Sequence, residues 1–402
     1  HAVPVVVHPR GVIECGRRAL ARDEVAGDRR YHTRTVPGGS LKPLGSDRSH
    51  PFRDRQQPAP AGRPGPERGR HPWRVQTLHR QGETIPLDTG AANRIARVLL
   101  EHRLVPGLED RAVVRAEVTP PGSASRFDFQ LTRAAAPGGV SAGAADSVAP
   151  ADTGPPAYLE VKSCTFFNGP WALFPDAVTD RGRRHVEELA QHPGSVVLFL
   201  VHSGEVEFFG PDLHVDLAFA QALYAHRNAV QLLPIALDWG HDLQLQAPPR
   251  MLSVPWTQIA PGLEDRGSYL VVLRLSAERS IPVGSLGTRT FPAGYYVYVG
   301  SAMQYLSKRV ARHRARRRTR KHWHIDYFRE IAEYVTTYAV REPRRRELEI
   351  VAEIAAIAAG SIAAFGSSDS PHWSHLFHFA NDPRTDSRFQ ETLLTIRRAA
   401  LG

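Results

Sequence analysis

From about Leu87 onward the apolar positions follow two rhythms, one near 3.6 residues and one of about 2. In AANRIARVLLEHRL, Ile95, Val98, Leu99 and Leu104 recur at helical spacing, and the segment closes on VPGL, which predicts a helix. AVVRAEV predicts a strand. In SRFDFQL the alternation sets Phe127, Phe129 and Leu131 on one face and Asp128 on the other. AYLEVKSC predicts another strand, VTDRGRRHVEELAQH a helix starting near Thr179, and SVVLFLV a buried strand whose partner follows in HSGEVEFF after a Ser-Gly turn. LAFAQALYAHRNAV and LLPIALDW end the series as a helix and a strand. Helices alternating with strands over 87–242 predict an α/β module.

A Pro-rich stretch, 243–266, is expected to be a flexible linker to a second module over 267–382. There SYLVVLRL predicts a strand and RSIPVGSLGTRTFPAG a hairpin region. GYYVYVGSA predicts a return strand with Tyr296 and Tyr298 on one face and Tyr295, Val297 and Val299 on the other. Gly300, at its end, lets another group approach closely. A long basic helix is expected over about 304–320 and another helix over HWHIDYFREIAEY. VTTYAV predicts a strand, RRELEIVAEIAAIAA a helix, and FGSSDSPHWSHLFHF a loop followed by a strand; 383–402 is expected to be a C-terminal tail. Residues 16–82 are Arg-, Pro- and Gly-rich with almost no periodic aliphatics, so 1–86 is expected to be largely disordered. The Ala/Gly/Pro/Ser tract 134–157 is expected to be a flexible insertion.

Two cysteines, Cys15 and Cys164, exclude a disulfide framework and a paired-cysteine zinc site, and fit a reducing, cytoplasmic setting. No apolar run reaches membrane-spanning length, so no membrane partner is expected. The formal net charge of +10 points to a polyanion, with DNA as the expected partner and RNA possible. The charge is clustered. Lys308, Arg309, Arg312, Arg314, Arg316, Arg317, Arg318, Arg320 and Lys321 cannot all face protein at helical spacing, which predicts a grip on a phosphate backbone.

In YLEVKS, Glu160 and Lys162 lie two apart on a strand and point the same way. Pairing with the strand of Asp128 would assemble two carboxylates able to hold Mg²⁺ and one ammonium able to stabilise developing charge. An exposed hairpin carrying ordinary charges is the simpler reading of that spacing alone. Around these residues, TGAANRIARVLLEHRLVPGL, SRFDFQL, YLEVKSCTF and ALFPDAVTDRGRRHVEELA together resemble the sugar fermentation stimulation protein (SfsA) family. The resemblance implies a restriction-endonuclease-like PD-(D/E)xK core with nucleic-acid binding and nuclease chemistry. Asp128 and Glu160 would be the metal ligands and Lys162 the catalytic lysine. Arg126, Asp176, Arg181 and His185 match family positions without an assigned role. The family carries a small β-barrel ahead of this core; here only RTVPGGSLKPL is similar to the family's Asn-Thr-Gly-Ser segment, without the asparagine, so the alternative to disorder for 1–86 is a degraded β-barrel.

GSYLVVL and YVG carry Gly-x-Tyr and Tyr-x-Gly on two strands. With FPAGYYVYVGSA, KRVARH, HWHIDY and FGSSDS followed by HLFHF, they resemble the GIY-YIG nuclease superfamily, closest to an uncharacterised domain type found with endonuclease III-type proteins. The resemblance implies a smaller α+β domain in which Tyr269 and Tyr298 flank the scissile phosphate, one as general base or water positioner. Arg309 would stabilise the pentavalent phosphate, and Glu347, with Glu349 as the alternative, would hold Mg²⁺. His322, His324 and Asp326 are expected in structural or DNA-contact roles rather than as a metal set, because positions i and i+2 of a helix do not share a face. Relatives often carry Cys-x-Cys where this chain has Ser370 and His372, leaving His372 and His375.

The fold expected is therefore α/β in two modules, a PD-(D/E)xK core and a GIY-YIG-like α+β domain, behind a poorly ordered N-terminal region. The function expected is a Mg²⁺-dependent DNA nuclease or DNA-processing protein. The alternative is a non-catalytic DNA-binding regulator of sugar metabolism genes built on nuclease-like folds.

Overall fold

A computed structural model describes residues 5–6, 77–80, 83–133, 155–315, 321–366 and 374–401. Most of 1–86, most of the 134–157 insertion, Arg316, Arg317, Arg318, Arg320, Ser370 and His372 lie outside the described residues.

The first module comprises α1 (Ala92–Glu101), β1 (Arg111–Val118), β2 (Phe127–Arg133), β3 (Ala157–Cys164), β4 (Trp171–Phe174), α2 (Asp180–Leu189), β5 (Val196–Val201), β6 (Phe208–Pro211), α3 (Leu217–Ala225), β7 (Gln231–Ala236) and β8 (Arg250–Met251). Six of the strands form one mixed sheet in the order β8-β7-β5-β3-β2-β1, parallel through β7, β5 and β3. All six residues of β5 are buried, as a central parallel strand covered on both faces requires. Leu198 and Leu200 pack toward α1 with Ile95 and Leu99, while Val197, Phe199 and Val201 pack toward α2 and α3 with Val186, Leu189 and Phe219. Each fully buried side chain of this kind contributes about 1.5–3 kcal/mol.

The start of α2 is pinned from two sides. The Thr179 hydroxyl accepts from the Gly182 N–H at 2.9 Å, and the Thr179 N–H donates to Asp216 at 2.7 Å. Asp216 also caps α3 through the Phe219 N–H. One carboxylate thus fixes both helix starts, and with them the side chains α2 directs at the sheet.

Two expectations need correction. Phe129 and Leu131 pack on the α1 side, but Phe127 crosses to the α2 side, because the chain turns over at Asp128. The strand after the Ser-Gly turn, β6, does not return along β5. It runs parallel to β4 in a separate small sheet.

The second module is an antiparallel five-stranded sheet. Its elements are β9 (Gly267–Leu275), β10 (Gly294–Ala302), α5 (Leu306–Arg314), α6 (His324–Phe328), β11 (Glu333–Arg341), α7 (Glu347–Ala355), β12 (Gly360–Ser361), β13 (Leu376–Phe379) and α8 (Ser387–Arg398). The strand order is β11-β9-β10-β13-β12. The alternation of β10 holds as expected: Tyr296 and Tyr298 face the α5/α6 layer, and Val297 and Val299 face α7 and α8. The basic helix is shorter than expected and ends at Arg314. The buried Arg329 guanidinium donates to the carbonyls of His313 at 2.7 Å and Arg314 at 3.3 Å, closing the helix's last turn. The HWHIDYFREIAEY helix likewise shrinks to α6, and Glu333 onward is strand.

The 243–266 stretch is not loose. Its α4 (Trp256–Ile259) and the turn after it pack Ile259 and Leu263 into one apolar cluster with Trp171, Leu173 and Leu213 of the first module and Leu401 near the C-terminus. Polar contacts rivet the same seam. Arg341 of β11 donates to the carbonyls of Leu213 and His214, each at 2.9 Å, and its N–H donates to His214 Nδ1 at 2.9 Å. His214 Nε2 faces the Arg397 carbonyl at 3.3 Å, and Asn168 donates to the Leu394 carbonyl at 2.7 Å. The residues expected as a tail thus include α8, which contacts both modules.

Candidate functional site

The β2–β3 ladder pairs Leu131 with Ala157, Gln130 with Tyr158 and Phe129 with Leu159, then stops. Beyond it β3 runs on along β5, while β2 pairs only with β1. Asp128 occupies the opening. Its Oδ2 accepts from the Val161 N–H at 2.7 Å, in place of a ladder bond, and its Oδ1 accepts from Asn93 Nδ2 of α1 at 2.7 Å. Burial and the neighbouring Glu160 charge push the Asp128 carboxyl above its ordinary value, against the two hydrogen bonds and Lys162.

Glu160 and Lys162 share the face of β3 that meets α2. Glu160 Oε1 accepts from Lys162 Nζ at 2.5 Å and from His185 Nδ1 at 2.6 Å. Arg181 donates to His185 Nε2 at 3.2 Å, so the histidine's proton sits on the nitrogen facing Glu160. Burial alone would raise the Glu160 carboxyl, yet the His185 bond and the Lys162 charge outweigh it and hold it below the ordinary value. Glu160 Oε2 is buried without a hydrogen-bond partner. The pair therefore joins an ionised, half-satisfied carboxylate to one whose ionisation is disfavoured, an arrangement a cation would relieve.

The other family-matched positions split. His185 and Arg181 belong to this cluster. Arg126 is exposed and pairs with Glu117 at 2.8 Å, and Asp176 is exposed in the loop before α2. Behind Lys162, Ser163 bonds His202 at 3.0 Å while Trp239 donates to the other ring nitrogen at 3.0 Å. Burial pushes His202 down to about 4, so this chain is neutral structure.

The second constellation centres on the β9–β10 ladder, where Tyr269 pairs with Gly300. The Tyr269 hydroxyl lies over Gly300 and bonds His313 Nε2 of α5 at 3.0 Å. Tyr298, half-buried, stands 6.4 Å from Tyr269 and 5.9 Å from His313 between ring centroids. Burial drives both tyrosine hydroxyls above their ordinary values, Tyr298 further so by the Glu347 charge. A neutral hydroxyl that positions water fits these surroundings better than a tyrosinate base. Arg309 lies close enough for its charge to lower both, and stacks on Trp323 at 4.2 Å. Glu347, the first residue of α7, accepts from the Ser301 hydroxyl and meets His375 Nδ1 at 3.2 Å. Burial raises its carboxyl, but the His375 and Ser301 bonds prevail and lower it. Glu349 points away, 62% exposed, toward Arg346.

The HWHID residues bond one another and neighbouring elements. Asp326 accepts from the His322 and Trp323 N–H groups and from Arg312 at 2.5 Å; His324 Nδ1 accepts from the Gly366 N–H at 2.9 Å. Among the described residues no cluster of three or more His, Cys, Asp or Glu forms a metal cage. Of the basic residues, Lys308 and Arg314 are exposed, Lys321 pairs with Glu330 at 2.8 Å, and Arg312 is held by Asp326 and stacked on Trp323 at 3.8 Å. Asn93, Ser301 and His313 were assigned no role in sequence. Ser301 adjoins Gly300, His313 ends the KRVARH segment and Asn93 lies in TGAANRIARVLL, but nothing within those segments tells which of their polar residues reach the two sites.

Residues 90–242 match the family described as the Sugar fermentation stimulation protein RE domain, and residues 268–398 match DUF123, a domain of unknown function. The chain is 32% identical over 168 residues to a Sugar fermentation stimulation protein homolog of Cyanothece sp., covering 41% of this chain and 63% of that one. It is 34% identical over 152 residues to a homolog of the same name from Synechococcus elongatus, covering 37% and 56%. The chain thus spans 63% and 56% of these relatives' lengths. Among solved structures it is similar to one titled "The structure of Pyrococcus Furiosus SfsA in complex with Ca2+", at 21% identity and a TM-score of 0.36 over 45% of this chain and 71% of that one. No helix among the described residues is long and apolar enough to cross a membrane.

Proposed function

We propose, from the match of residues 90–242 to the sugar fermentation stimulation protein RE domain and of residues 268–398 to DUF123, that the protein is a Mg²⁺-dependent nuclease that binds DNA and hydrolyses its phosphodiester bonds. The observation that carries this reading is the buried, unpartnered Oε2 of Glu160 beside Asp128 and Lys162. Asp128 and Glu160 fit a divalent oxygen-seeking ion, the remaining positions falling to water and phosphate. Such an ion, when bound, would polarise a phosphate and lower the pKa of a water.

The chain's own residues supply the rest. His185, proton toward Glu160 and braced by Arg181, holds the glutamate ionised and its second oxygen uncommitted. Lys162 keeps two N–H donors beyond its bond to Glu160, enough to orient the attacking water or meet charge on the phosphate. In the second module the neutral Tyr298 hydroxyl would position a water, His313 would take a proton through Tyr269, and Arg309 would face the phosphate. The exposed Lys308 and Arg314 supply the electrostatic grip, supported by the chain's net charge of +10.

Incubating labelled single-stranded, duplex and branched DNA, and RNA, with the protein in Mg²⁺, Mn²⁺ or EDTA tests the proposal. Metal-dependent cleavage lost in Asp128→Ala is expected. Salt-sensitive binding with no cleavage under any metal would leave a binding protein in place of an enzyme.

A further inference from the structure

Tyr305 is the one aromatic residue among the described residues that stands mostly in solvent, 62% exposed. It sits in the short loop joining β10, which carries Tyr298, Gly300 and Ser301, to α5, which carries Arg309 and His313. Its backbone is left-handed, with φ +53° and ψ +45°. That conformation is unfavourable for a bulky side chain and persists only where its surroundings impose it. They do so here. The Leu306 N–H donates to the Asp265 carbonyl at 2.9 Å, and the Ser307 N–H and hydroxyl donate to the Asp265 carboxylate at 3.0 and 2.7 Å. The Tyr305 carbonyl in turn accepts from the Arg309 N–H at 3.0 Å, beginning α5.

A glycine or asparagine would suit this backbone better, and an exposed ring gains little from burial in return. The ring does have one neighbour, the Lys308 ammonium, 4.6 Å from its centroid. An exposed aromatic face backed by a cation, on a hydrogen-bonded loop that joins the strand of Tyr298 to the helix of Arg309, is the arrangement on which a nucleobase stacks while its phosphate meets the cation.

We propose that Tyr305 is a stacking platform for an unpaired nucleobase next to the second module's site, so that this module engages single-stranded or flapped nucleic acid rather than continuous duplex. The inference rests on the nucleic-acid-binding reading above and names the substrate form that reading leaves open. A base within a duplex is already stacked on both faces, so only an unpaired or splayed base can use the ring.

The test is fluorescence anisotropy of labelled single-stranded DNA, single-stranded RNA and blunt duplex DNA with the full chain, wild type beside Tyr305→Gly and Tyr305→Trp. Tyr305→Gly relieves the left-handed strain, so its melting temperature should hold or rise, which separates lost stacking from lost folding. It should bind single strands about five- to a hundred-fold more weakly, bind duplex as the wild type does, and Tyr305→Trp should retain single-strand affinity. Equal losses on DNA and RNA strands mean that the ring reads only the base face; a loss on one polymer alone identifies that polymer as the ligand. Unchanged single-strand binding by Tyr305→Gly, or an equal loss on duplex, overturns the platform while leaving nucleic-acid binding intact. A wild type that binds no nucleic acid at all overturns the broader reading and the platform with it.

Discussion

Tyr269 lies across the β9–β10 ladder directly over Gly300: a methyl group on that glycine would come within 2.5 Å of the tyrosine hydroxyl. The glycine is therefore the condition for the Tyr269–His313 bond. Gly300→Ala is expected to push the ring out of place, break that bond and cost about 1–3 kcal/mol by overpacking. Urea denaturation reads the stability loss. An unchanged midpoint would show that the strand pair has room to spare.

The seam between the modules makes a separate prediction. Asp212 is buried with its carboxyl raised by that burial, and the charges of Arg397 and Arg341 oppose the rise. Arg341→Met removes one of those charges and two bonds to backbone carbonyls, at an expected cost of about 3–5 kcal/mol. Calorimetry should show one cooperative transition in the wild type and two in the variant. Two transitions in the wild type would mean that the modules melt independently despite their contact.

Asp128 predicts a pH dependence with a definite sign. Its carboxyl is raised above its ordinary 3.8, so its contribution to stability is complete below that value and is lost as pH rises through the raised one. Asp128→Asn, whose amide can still serve Asn93 and Val161 after one flip, should not show this loss. Mg²⁺ should raise the wild-type melting temperature at neutral pH, by about 2.7 kcal/mol of stability at a hundredfold excess over its Kd, and leave Asp128→Asn unmoved. Thermal melts between about pH 4 and 8 with and without Mg²⁺ check both statements. Equal Mg²⁺ stabilisation of both proteins would place the ion elsewhere.

The basic residues should separate by environment. Lys308→Met and Arg314→Met, both at exposed positions, should each lower the salt dependence of DNA binding by about 0.9 log units per log unit of salt, with little effect on folding. Arg312→Met should instead destabilise the fold, because it strips a charged partner from the buried Asp326. DNA titrations over a salt series, beside melting curves, distinguish the two outcomes.

Much of this architecture was legible in sequence because its signals are local. The two-residue spacing of Glu160 and Lys162, the β-forming run ending at Gly300 and the continuous apolar strand 196–201 all depend on neighbours in the chain. What was hidden depends on distance. Nothing near Asn93 marks it as the partner of Asp128 in another element, and the turnover that carries Phe127 to the far face follows from where the β2–β3 ladder ends. The length of α5 is set by Arg329, well beyond its last residue. Proline content marked 243–266 as a linker, but composition does not report that Ile259 and Leu263 find apolar partners in Trp171 and Leu213.

The most direct measurement is single-turnover cleavage of a labelled flapped DNA in Mg²⁺ by wild type, Asp128→Ala, Glu160→Gln and Tyr298→Phe. The two carboxylate variants should lose at least about a hundredfold in rate, with Tyr298→Phe reporting separately on the second module and EDTA abolishing what remains. Wild-type cleavage that persists undiminished in both carboxylate variants, or that never appears with any metal, would contradict a metal-dependent centre at Asp128 and Glu160.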